Sequence, residues 1–284
     1  MRLATLRVPG GTRAVRLDDG RYVDLGLPDV GALLARPDWR EYAEIADGAD
    51  GADSGLDGAD LAPVVPRPGK ILCVGLNYRN HILEMGRELP EFPTLFAKYP
   101  EALIGAADVI ELAPESGAVD WEAELGLVIG ETVRRATEEQ AAAAIAGFTV
   151  LNDVTMRDWQ YRSPQWLQGK TFERTTPVGP VMVTPDELPG GVRPALTMTC
   201  SLDGETVQKA QTDDLVFDPV ALVRYASTIL TLQPGDVIAT GTPGGVGHAR
   251  KPQRYLADGA RLVTEIGGIG RLDNIARVPA AEES

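Results

Sequence analysis

Three acidic residues alternate along one short segment and are the first candidates for chemistry. The run from Val119 to Gly130 reads VDWEAELGLVIG, with Asp120, Glu122 and Glu124 at every second position. Alternate residues of a β-strand point to the same face, so the three carboxylates are expected to lie side by side. Neighbouring carboxylates repel each other unless protons or a hard cation neutralise them. The spacing taken alone is compatible both with a solvated edge strand that carries surface acids and with a divalent-metal site.

A second apolar run supplies a further carboxylate. Residues Phe148–Leu151 predict a strand, and Asn152 and Asp153 follow it directly. Functional side chains of sheets commonly emerge where strands end. Together, Glu122, Glu124 and Asp153 would give three carboxylate ligands, with water or substrate completing an octahedron.

A histidine and a glutamate three residues apart form another candidate pair. They lie in the run NYRNHILEMG, which begins at Asn77 and follows a predicted strand. If the run is helical, His81 and Glu84 share one face, and the carboxylate can orient the imidazole and raise its basicity. Such a pair would be a general base for activating water. The alternative is an exposed helix with a surface histidine.

Three polar residues downstream of Asp153 are candidate oxyanion donors. Arg157, Gln160 and Lys170 would place hydrogen-bond donors and positive charge beside a metal, with surface ion pairing as the alternative. Lys170 is notable because the chain has 22 Arg but only five Lys. A site that uses the compact charge of an ammonium would not accept a bulkier guanidinium, so the chemistry is expected to require a lysine there.

An array of short strands must position these side chains. Near the start, the alternating runs Leu3–Val8 and Thr12–Leu17, followed by Arg21–Leu25, predict a small β-meander. Residues 47–60 are almost entirely Asp, Gly and Ala and predict a flexible linker. We therefore expect a small N-terminal domain over residues 1–62 and a catalytic domain over residues 67–284.

The predicted catalytic domain is rich in strands and poor in helices. Asp203-Gly204 predicts a type I′ hairpin turn, and Asp218 followed by Pro219 predicts the start of a helix that runs to Leu232. Strands are expected at Ile71–Val74, Leu125–Ile129, Ala146–Leu151, Leu196–Leu202, Glu205–Lys209, Val237–Thr240 and Arg261–Ile266. The predicted fold class is α+β and β-rich, with a closed or rolled mixed sheet.

Composition excludes several classes of protein. The 284 residues are 44% hydrophobic, and no apolar run approaches the ~18 residues of a membrane span. No secretory signal is visible, so a cytoplasmic location is expected. Cys73 and Cys200 lie in apolar runs without metal-ligand spacing, which predicts buried free thiols. The formal net charge of −14 makes nucleic acid a poor candidate partner.

Several motifs of other enzyme classes are incomplete. Gly169-Lys170-Thr171 ends like a phosphate-binding loop, but Pro164 stands where that motif requires glycine. The glycine-rich run Gly241–Gly247 fits no register of a dinucleotide fingerprint. There is no G-x-S-x-G elbow, and the two histidines, His81 and His248, are too few for a histidine-rich zinc site.

The order of motifs from about Lys70 to Arg277 resembles the fumarylacetoacetate hydrolase family. Seven blocks occur in family order: KILCVGLNYRNHILEMG, FPTLFAK, VDWEAELGLVIG, NDVTMRDWQ, GKTFERTTPVGP, LQPGDVIATGTPGGVG and IGGIGRLDN. The additional metal-binding Asp and the differently placed base of fumarylacetoacetate hydrolase itself are not recognisable. The chain looks more like the short acylpyruvase, isomerase and decarboxylase branch. That branch implies a mixed β-roll or β-barrel catalytic domain, a small N-terminal domain and a homodimer.

The resemblance also implies roles for individual residues. Glu122, Glu124 and Asp153 are expected to bind Mg²⁺ or Mn²⁺. His81 and Glu84 would lie on a lid helix that closes over the substrate and activates water. The reacting oxyanion is expected to lie beside Lys170, Arg157 and Gln160. The substrate is expected to contact Tyr78, Lys98, Gly241 and Thr242.

The expected activity is hydrolysis of a C–C bond in a 1,3-diketo acid such as an acylpyruvate or fumarylpyruvate. The alternative within the family is an oxaloacetate decarboxylase or a keto-enol isomerase, including isomerases of catechol-pathway diacids. A third possibility is a metal-free binding protein that kept the fold but lost turnover. The expected partner is a small keto acid, with neither nucleic acid nor a membrane involved.

Overall fold

The computed structural model describes residues 1–18, 21–46, 58–84 and 86–280 of the chain. The predicted linker over residues 47–60 therefore lies outside the described residues except for its last three positions. The strands are β1 Arg2–Val8, β2 Gly11–Asp18, β3 Arg21–Asp24, β4 Ile71–Gly75, β5 Thr94–Lys98, β6 Leu103–Ile104, β7 Ile110–Glu111, β8 Val119–Asp120, β9 Ala123–Ile129, β10 Ile145–Asn152, β11 Thr155–Met156, β12 Thr176–Val183, β13 Thr197–Leu202, β14 Glu205–Gln211, β15 Val237–Ala239, β16 Arg261–Ile266 and β17 Gly270–Arg277.

Short helices connect these strands. The α-helices are α1 Val30–Leu34, α2 Trp39–Ile45, α3 Arg79–Glu84, α4 Glu138–Ala143, α5 Arg157–Gln160, α6 Leu167–Lys170 and α7 Pro219–Ile229. Single 3-10 turns span Pro100–Ala102, Pro185–Glu187, Thr212–Asp214 and Gly247–Ala249. The strand-rich α+β class is thus confirmed.

The largest sheet has ten strands and carries most of the candidate site. Its order is β3-β2-β1-β12-β10-β9-β15-β4-β5, with β6 paired to β12. The end strands β3 and β5 are not joined, so of the two expected forms, a closed or a rolled sheet, the closed one is not found. The sheet is mixed, as expected, because β15 pairs antiparallel with β9 and parallel with β4.

The predicted N-terminal meander forms and continues the large sheet. β1, β2 and β3 pair in sequence, and β1 also pairs with β12 through Arg2–Val183 and Leu3–Met182. The threonine hydroxyl of Thr5, fully buried, donates to the carbonyl of Val64 at 2.7 Å and ties the meander to the chain that enters the main sheet. The first strands are therefore structurally continuous with the strands that hold the site.

A five-stranded sheet packs against the middle of the large one. Its order is β14-β13-β16-β17-β7, and β16 and β17 contact β10. The predicted hairpin between β13 and β14 is present, and both turn residues have positive φ, 52° at Asp203 and 85° at Gly204. These are the angles that a type I′ turn requires. The main hydrophobic core lies between the two sheets and includes Leu127, Phe148 and Leu272.

Helix α7 begins where the sequence predicts and ends earlier. The Asp218 side chain accepts a hydrogen bond from the Ala221 amide, and Pro219 occupies the first turn, as expected of an N-cap followed by proline. The helix ends at Ile229 because Leu230 takes extended backbone angles, so the prediction to Leu232 was three residues too long. Its buried face includes Leu222 and Val223.

Two further expectations concern the thiols and the membrane. Cys73 and Cys200 are both buried and free, as predicted. Within the described ranges, we find no helix with the length and apolar character needed to cross a membrane.

Candidate active site

The ends of β9 and β10 bring three carboxylates together. The antiparallel register places Glu124 opposite Leu151, so the chain that leaves β10 passes beside the start of β9. The Asp153 amide donates to the Glu122 carbonyl at 2.8 Å and locks the two segments together. One ligand oxygen from each of Glu122, Glu124 and Asp153 lies within 4.8 Å of the others. The expected ligand set is therefore assembled in space.

These carboxylates are buried, which rules out the alternative of a solvated edge strand. The residues Glu122, Glu124 and Asp153 are 7%, 1% and 0% exposed. Asp120 departs from the alternation because the strand is interrupted at Trp121-Glu122. Its carboxylate instead accepts hydrogen bonds from the Arg157 guanidinium and the Gly247 amide.

Three buried cations neutralise part of this negative charge. Lys170 Nζ lies 2.7 Å from both Glu122 Oε2 and Asp153 Oδ2, and Lys98 Nζ lies 2.5 Å from Asp153 Oδ1. The guanidinium of Arg157 contacts Glu122 Oε1 at 2.7 Å. Burial raises the pKa of Asp153, but the ammonium groups of Lys170 and Lys98 outweigh it and hold that pKa below its usual value. The alternative of surface ion pairing for Arg157 and Lys170 is wrong.

Glu124 differs from the other two carboxylates because no cation among the described residues contacts it. It accepts a hydrogen bond from the Gly241 amide at 2.7 Å. Burial, followed by the charges of Asp153 and Glu122, raises the pKa of Glu124 well above its ordinary value. Four buried carboxylates, counting Asp120, thus face three cations, and a divalent ion among three hard oxygen ligands would relieve the imbalance. The donor set fits Mg²⁺ or Mn²⁺.

A cavity of about 400 Å³ opens above the cluster. Gln160 lines it and accepts a hydrogen bond from Arg157 at 3.0 Å, so the expected oxyanion donors lie together. Thr242 also lines it and is held by the buried side chain of Gln208, which bonds to Thr242 Oγ1 and to the Ala123 amide. The glycine-rich loop after β15 is thereby tied to the strand that carries Glu124.

The pair His81 and Glu84 lies on α3, as the helical interpretation predicts, at the boundary of two cavities. His81 lines the 400 Å³ cavity, and both residues line a neighbouring cavity of about 660 Å³. No hydrogen bond joins the two side chains in the described part of the chain. Glu84 raises the pKa of His81, in the expected direction, but burial outweighs it and holds that pKa below its ordinary value.

Of the four residues expected to contact the substrate, two line a cavity and two contact the buried carboxylates. Thr242 lines the cavity, whereas the Gly241 amide holds Glu124. Lys98 is placed behind Asp153, where its buried ammonium contacts that carboxylate and the Val154 carbonyl rather than lining the cavity. Tyr78 is 1% exposed and lines the larger cavity, and none of the residues that the structure describes hydrogen-bonds to its hydroxyl.

Several cavity residues were not singled out from the sequence. The ammonium of Lys170 lies 4.9 Å from the centre of the Phe96 ring, which packs edge-on against Trp166. Tyr161 and His248 form another part of the wall, with ring centres 5.3 Å apart. The only available signal was the position of His248 directly after the glycine-rich run.

A mixed β fold that buries three carboxylates among fixed cations, beneath a cavity with histidine side chains, defines a metal-dependent enzyme of the hydrolase and isomerase type. The chain belongs to the fumarylacetoacetate hydrolase family, because residues 70–277 match the family model described as Fumarylacetoacetate (FAA) hydrolase C-terminal. Members of that family are enzymes, so the expectation of an enzyme rather than a binding protein without turnover is confirmed.

Individual relatives carry names of more than one activity. Oxaloacetate tautomerase Fahd2a, mitochondrial, from Rattus norvegicus is 43% identical over 215 residues, which cover 75% of this chain and 68% of that protein. Fumarylacetoacetate hydrolase from Exiguobacterium antarcticum is 32% identical with a TM-score of 0.84, covering 98% and 100% of the two chains. Maleylpyruvate hydrolase from Sphingobium sp. SYK-6, solved with manganese(II) and pyruvate, is 28% identical with a TM-score of 0.79, covering 99% and 100%.

Proposed function

We propose that this protein interconverts the keto and enol forms of a short 2-keto acid such as oxaloacetate, with Mg²⁺ or Mn²⁺ held by Glu122, Glu124 and Asp153. The observation that carries the proposal is the buried carboxylate cluster with Lys170 fixed beside it. The 43% identical relative named as an oxaloacetate tautomerase supports the choice of reaction. When bound, the divalent ion would act as a Lewis acid and stabilise negative charge on the keto oxygen.

The protein's own side chains would supply the rest of the chemistry. Lys170, Arg157 and Gln160 are fixed by contacts with the carboxylates and with each other, so they need not reorganise as charge develops on a substrate oxygen. The reaction also needs a proton acceptor beside the substrate, and the cavity presents the imidazoles of His81 and His248. The cavity volume of about 400 Å³ suits a small acid.

The test is a tautomerase assay on purified protein loaded with Mg²⁺ or stripped with EDTA. Fresh oxaloacetate is followed by the ultraviolet absorbance of its enol form, while pyruvate is measured enzymatically in the same samples. Faster, metal-dependent approach to the keto–enol equilibrium without excess pyruvate is the expected result. An approach no faster than in buffer containing the metal alone would refute the proposal.

Hydrolysis of a C–C bond in an acylpyruvate-type substrate is the second candidate. Two observations favour it: His81 lies on a short helix at the cavity, and a solved relative is a maleylpyruvate hydrolase. In that reaction His81 would take a proton from water. An acylpyruvate incubated in H₂¹⁸O distinguishes the two, because hydrolysis places ¹⁸O in the released acid and tautomerisation does not. Release of CO₂ from oxaloacetate above the metal-only rate would instead indicate a decarboxylase.

The remaining expectations are also proposals. We propose that the protein acts as a homodimer in the cytoplasm on a small keto acid, without nucleic acid or a membrane as partner. Light scattering of the purified protein tests the dimer, and cell fractionation tests the location. Comparison of activity after reloading with Mg²⁺ or Mn²⁺ tests the choice of ion.

A further inference from the structure

His248 reaches the 400 Å³ cavity from a different element than His81. It lies in the 3-10 turn Gly247–Ala249, and the amides of Gly247 and His248 donate to the Asp120 carboxylate at 2.7 and 2.9 Å. Asp120 also accepts a hydrogen bond from Arg157 Nε at 2.8 Å. The turn and the arginine therefore share one buried anchor, which fixes His248 relative to the carboxylate cluster.

A closed ring of hydrogen bonds holds the imidazole. The Tyr255 hydroxyl donates to Gln253 Oε1 at 3.1 Å, and Gln253 Nε2 donates to the His248 carbonyl at 3.2 Å. The Tyr255 oxygen also lies 2.9 Å from His248 Nδ1, nearer than Gln253 Nε2 at 3.3 Å. The side chains of His248, Gln253 and Tyr255 are thus connected on the Nδ1 side of the imidazole.

The contacts at His248 Nδ1 allow two positions for the ring proton, and the direction of the Tyr255 hydroxyl decides between them. A tyrosine hydroxyl has one hydrogen, and here that hydrogen is donated to Gln253. A hydroxyl turned toward Nδ1, or donation from Gln253 Nε2 at 3.3 Å, would require the lone pair on Nδ1. With the hydroxyl hydrogen on Gln253, the Tyr255 oxygen instead accepts from His248 Nδ1 at 2.9 Å, which places the proton on Nδ1. In a neutral imidazole the other nitrogen, Nε2, then carries a lone pair. Within the described residues, no group hydrogen-bonds to Nε2, so the lone pair is available to a ligand in the cavity.

We propose that His248 is a proton-transferring base of this site, oriented by Tyr255 and Gln253. The proposal rests on the keto–enol function proposed above. His248 Nε2 takes a proton from the carbon next to the keto group, and the electron pair of the broken C–H bond forms the C=C bond of the enol. The proton on Nε2 is then given to the former keto oxygen. The sum is an isomerisation that needs no oxidant, reductant or water.

The first test reads the proton position directly and does not depend on turnover. Two-dimensional ¹⁵N–¹H NMR of the imidazoles in the full Mg²⁺-loaded protein, at a pH where free imidazole is neutral, distinguishes the two tautomers. The chain has only two histidines, so the variants H81Q and H248Q assign the spectrum. His248 is expected in the Nδ1–H form, with a shift toward the Nε2–H form in Y255F. An Nε2–H form in the wild-type protein would overturn the proposal.

The second test separates catalysis from structure. H248Q should lower kcat for oxaloacetate tautomerisation by about 10²–10⁴-fold while KM changes less than about threefold, because a general base acts on the barrier. Added imidazole should restore part of the lost rate. Y255F should lose less, since it keeps the base and removes its orienting partner. A kcat within about threefold of wild type in H248Q, or a rise in KM alone, would contradict the proposal.

The two proposals fail in different ways. If the wild-type protein does not tautomerise oxaloacetate, the proposed function fails. His248 is then tested by exchange of the carbon-bound protons of pyruvate and oxaloacetate for deuterium in D₂O, followed by NMR. Metal-dependent exchange that is lost in H248Q would support the base assignment. Exchange equal in H248Q and the wild type, or absent from both, would refute it.

Discussion

At the scale of single residues, the three candidate metal ligands are not equivalent. Glu122 and Asp153 each contact two cationic groups, whereas Glu124 is held only by a backbone amide. Burial and repulsion make the charged form of Glu124 unfavourable, as its raised pKa indicates. Among the three candidate ligands, Glu124 should therefore contribute most to metal affinity. Removing its charge should cost the metal-free protein the least stability.

Replacing Glu124 with glutamine separates metal binding from stability. E124Q should weaken Mg²⁺ affinity by at least about tenfold, because outer-shell changes alone commonly cost 10–100-fold. In EDTA it should unfold at the same temperature as wild type or higher, since a repelled buried charge is gone. Calorimetric titration and thermal melting measure the two effects.

Glu122 provides the matched control. E122Q removes a charge that pairs with both Arg157 and Lys170, so it should destabilise the metal-free protein by roughly 3 kcal/mol. Equal melting temperatures for E122Q and E124Q in EDTA would show that the ion pairs around Glu122 carry no stability.

The pKa of His81 should respond in opposite directions to the removal of two charges outside the carboxylate cluster, Glu84 and Arg87. Burial lowers that pKa, Glu84 raises it and Arg87 lowers it. E84Q should therefore lower it further, and R87Q should raise it. Neutral imidazole is the form that accepts a proton, so an acid limb governed by His81 should move to lower pH in E84Q and to higher pH in R87Q. NMR titration of the His81 ring, resolved from one other histidine, measures the shift, and movement in the same direction for both variants would exclude this electrostatic account.

The sequence predicted which three carboxylates converge but not the task of each residue around them. Glu122, Glu124 and Asp153 converge because adjacent antiparallel strands end together, which is a local consequence of strand order. Lys98 was expected at the substrate and instead supports Asp153. Its role depends on a contact across 55 positions of chain, and no local pattern records such a contact.

At the scale of elements, two single-turn helices position the cations. Helix α5 carries Arg157 and Gln160, and α6 ends at Lys170. Their separation is set by Gly169, where an added Cβ would lie 2.4 Å from the Gln160 nitrogen and 2.5 Å from the Met156 carbonyl. Both atoms belong to the backbone, so the contact cannot be relieved by a side-chain rotation.

Substituting Gly169 with alanine should therefore displace Lys170 from the cluster. We expect a loss of stability of about 1–3 kcal/mol from overpacking, together with a fall in kcat. Urea unfolding and the tautomerase assay measure these effects. Gly117 is the matched control, because a Cβ there meets no atom within 4 Å and its φ is unremarkable, so G117A should behave as wild type. Full activity in G169A would mean that α6 tolerates displacement.

Local sequence patterns predicted the individual helices and strands better than they predicted which strands pair. The Asp-Gly turn of the β13–β14 hairpin and the Asp-Pro start of α7 are determined by backbone preferences within a few residues. The insertion of β15 between β9 and β4 joins distant parts of the chain, and hydrophobic patterning cannot specify it. For the same reason the sequence could not decide between a closed and a rolled sheet, and the structure shows that the end strands are not joined.

At the scale of the whole molecule, the negative charge of the site's carboxylates is balanced largely by the protein's own cationic side chains. The buried cations Lys98, Arg157 and Lys170 hold the cluster together before any ion binds. Strand β10, which leads into Asp153, also packs on the five-stranded sheet across one extended hydrophobic core. The fold is therefore not expected to depend on metal in the way that a small zinc domain does.

Removing metal should abolish activity and leave the fold intact. If the ion is present at about 100 times its Kd, its binding adds about 2.7 kcal/mol, so EDTA should lower Tm by about 5–10 °C. Near-ultraviolet circular dichroism should keep its aromatic signals, and Mg²⁺ should restore activity without refolding. Loss of those signals at room temperature would show that the ion is part of the structural core.

The placement of the five lysines has a consequence for chemical labelling. Lys98 and Lys170 are buried among carboxylates and Lys70 pairs with Asp236 at 2.7 Å, which leaves Lys209 and Lys251 as the exposed amines. A reagent that acylates amines should therefore modify Lys209 and Lys251 first, while Lys98 and Lys170, each 2% exposed, react only when the buried site opens. The two site lysines are thus built-in reporters of opening, readable by mass spectrometry.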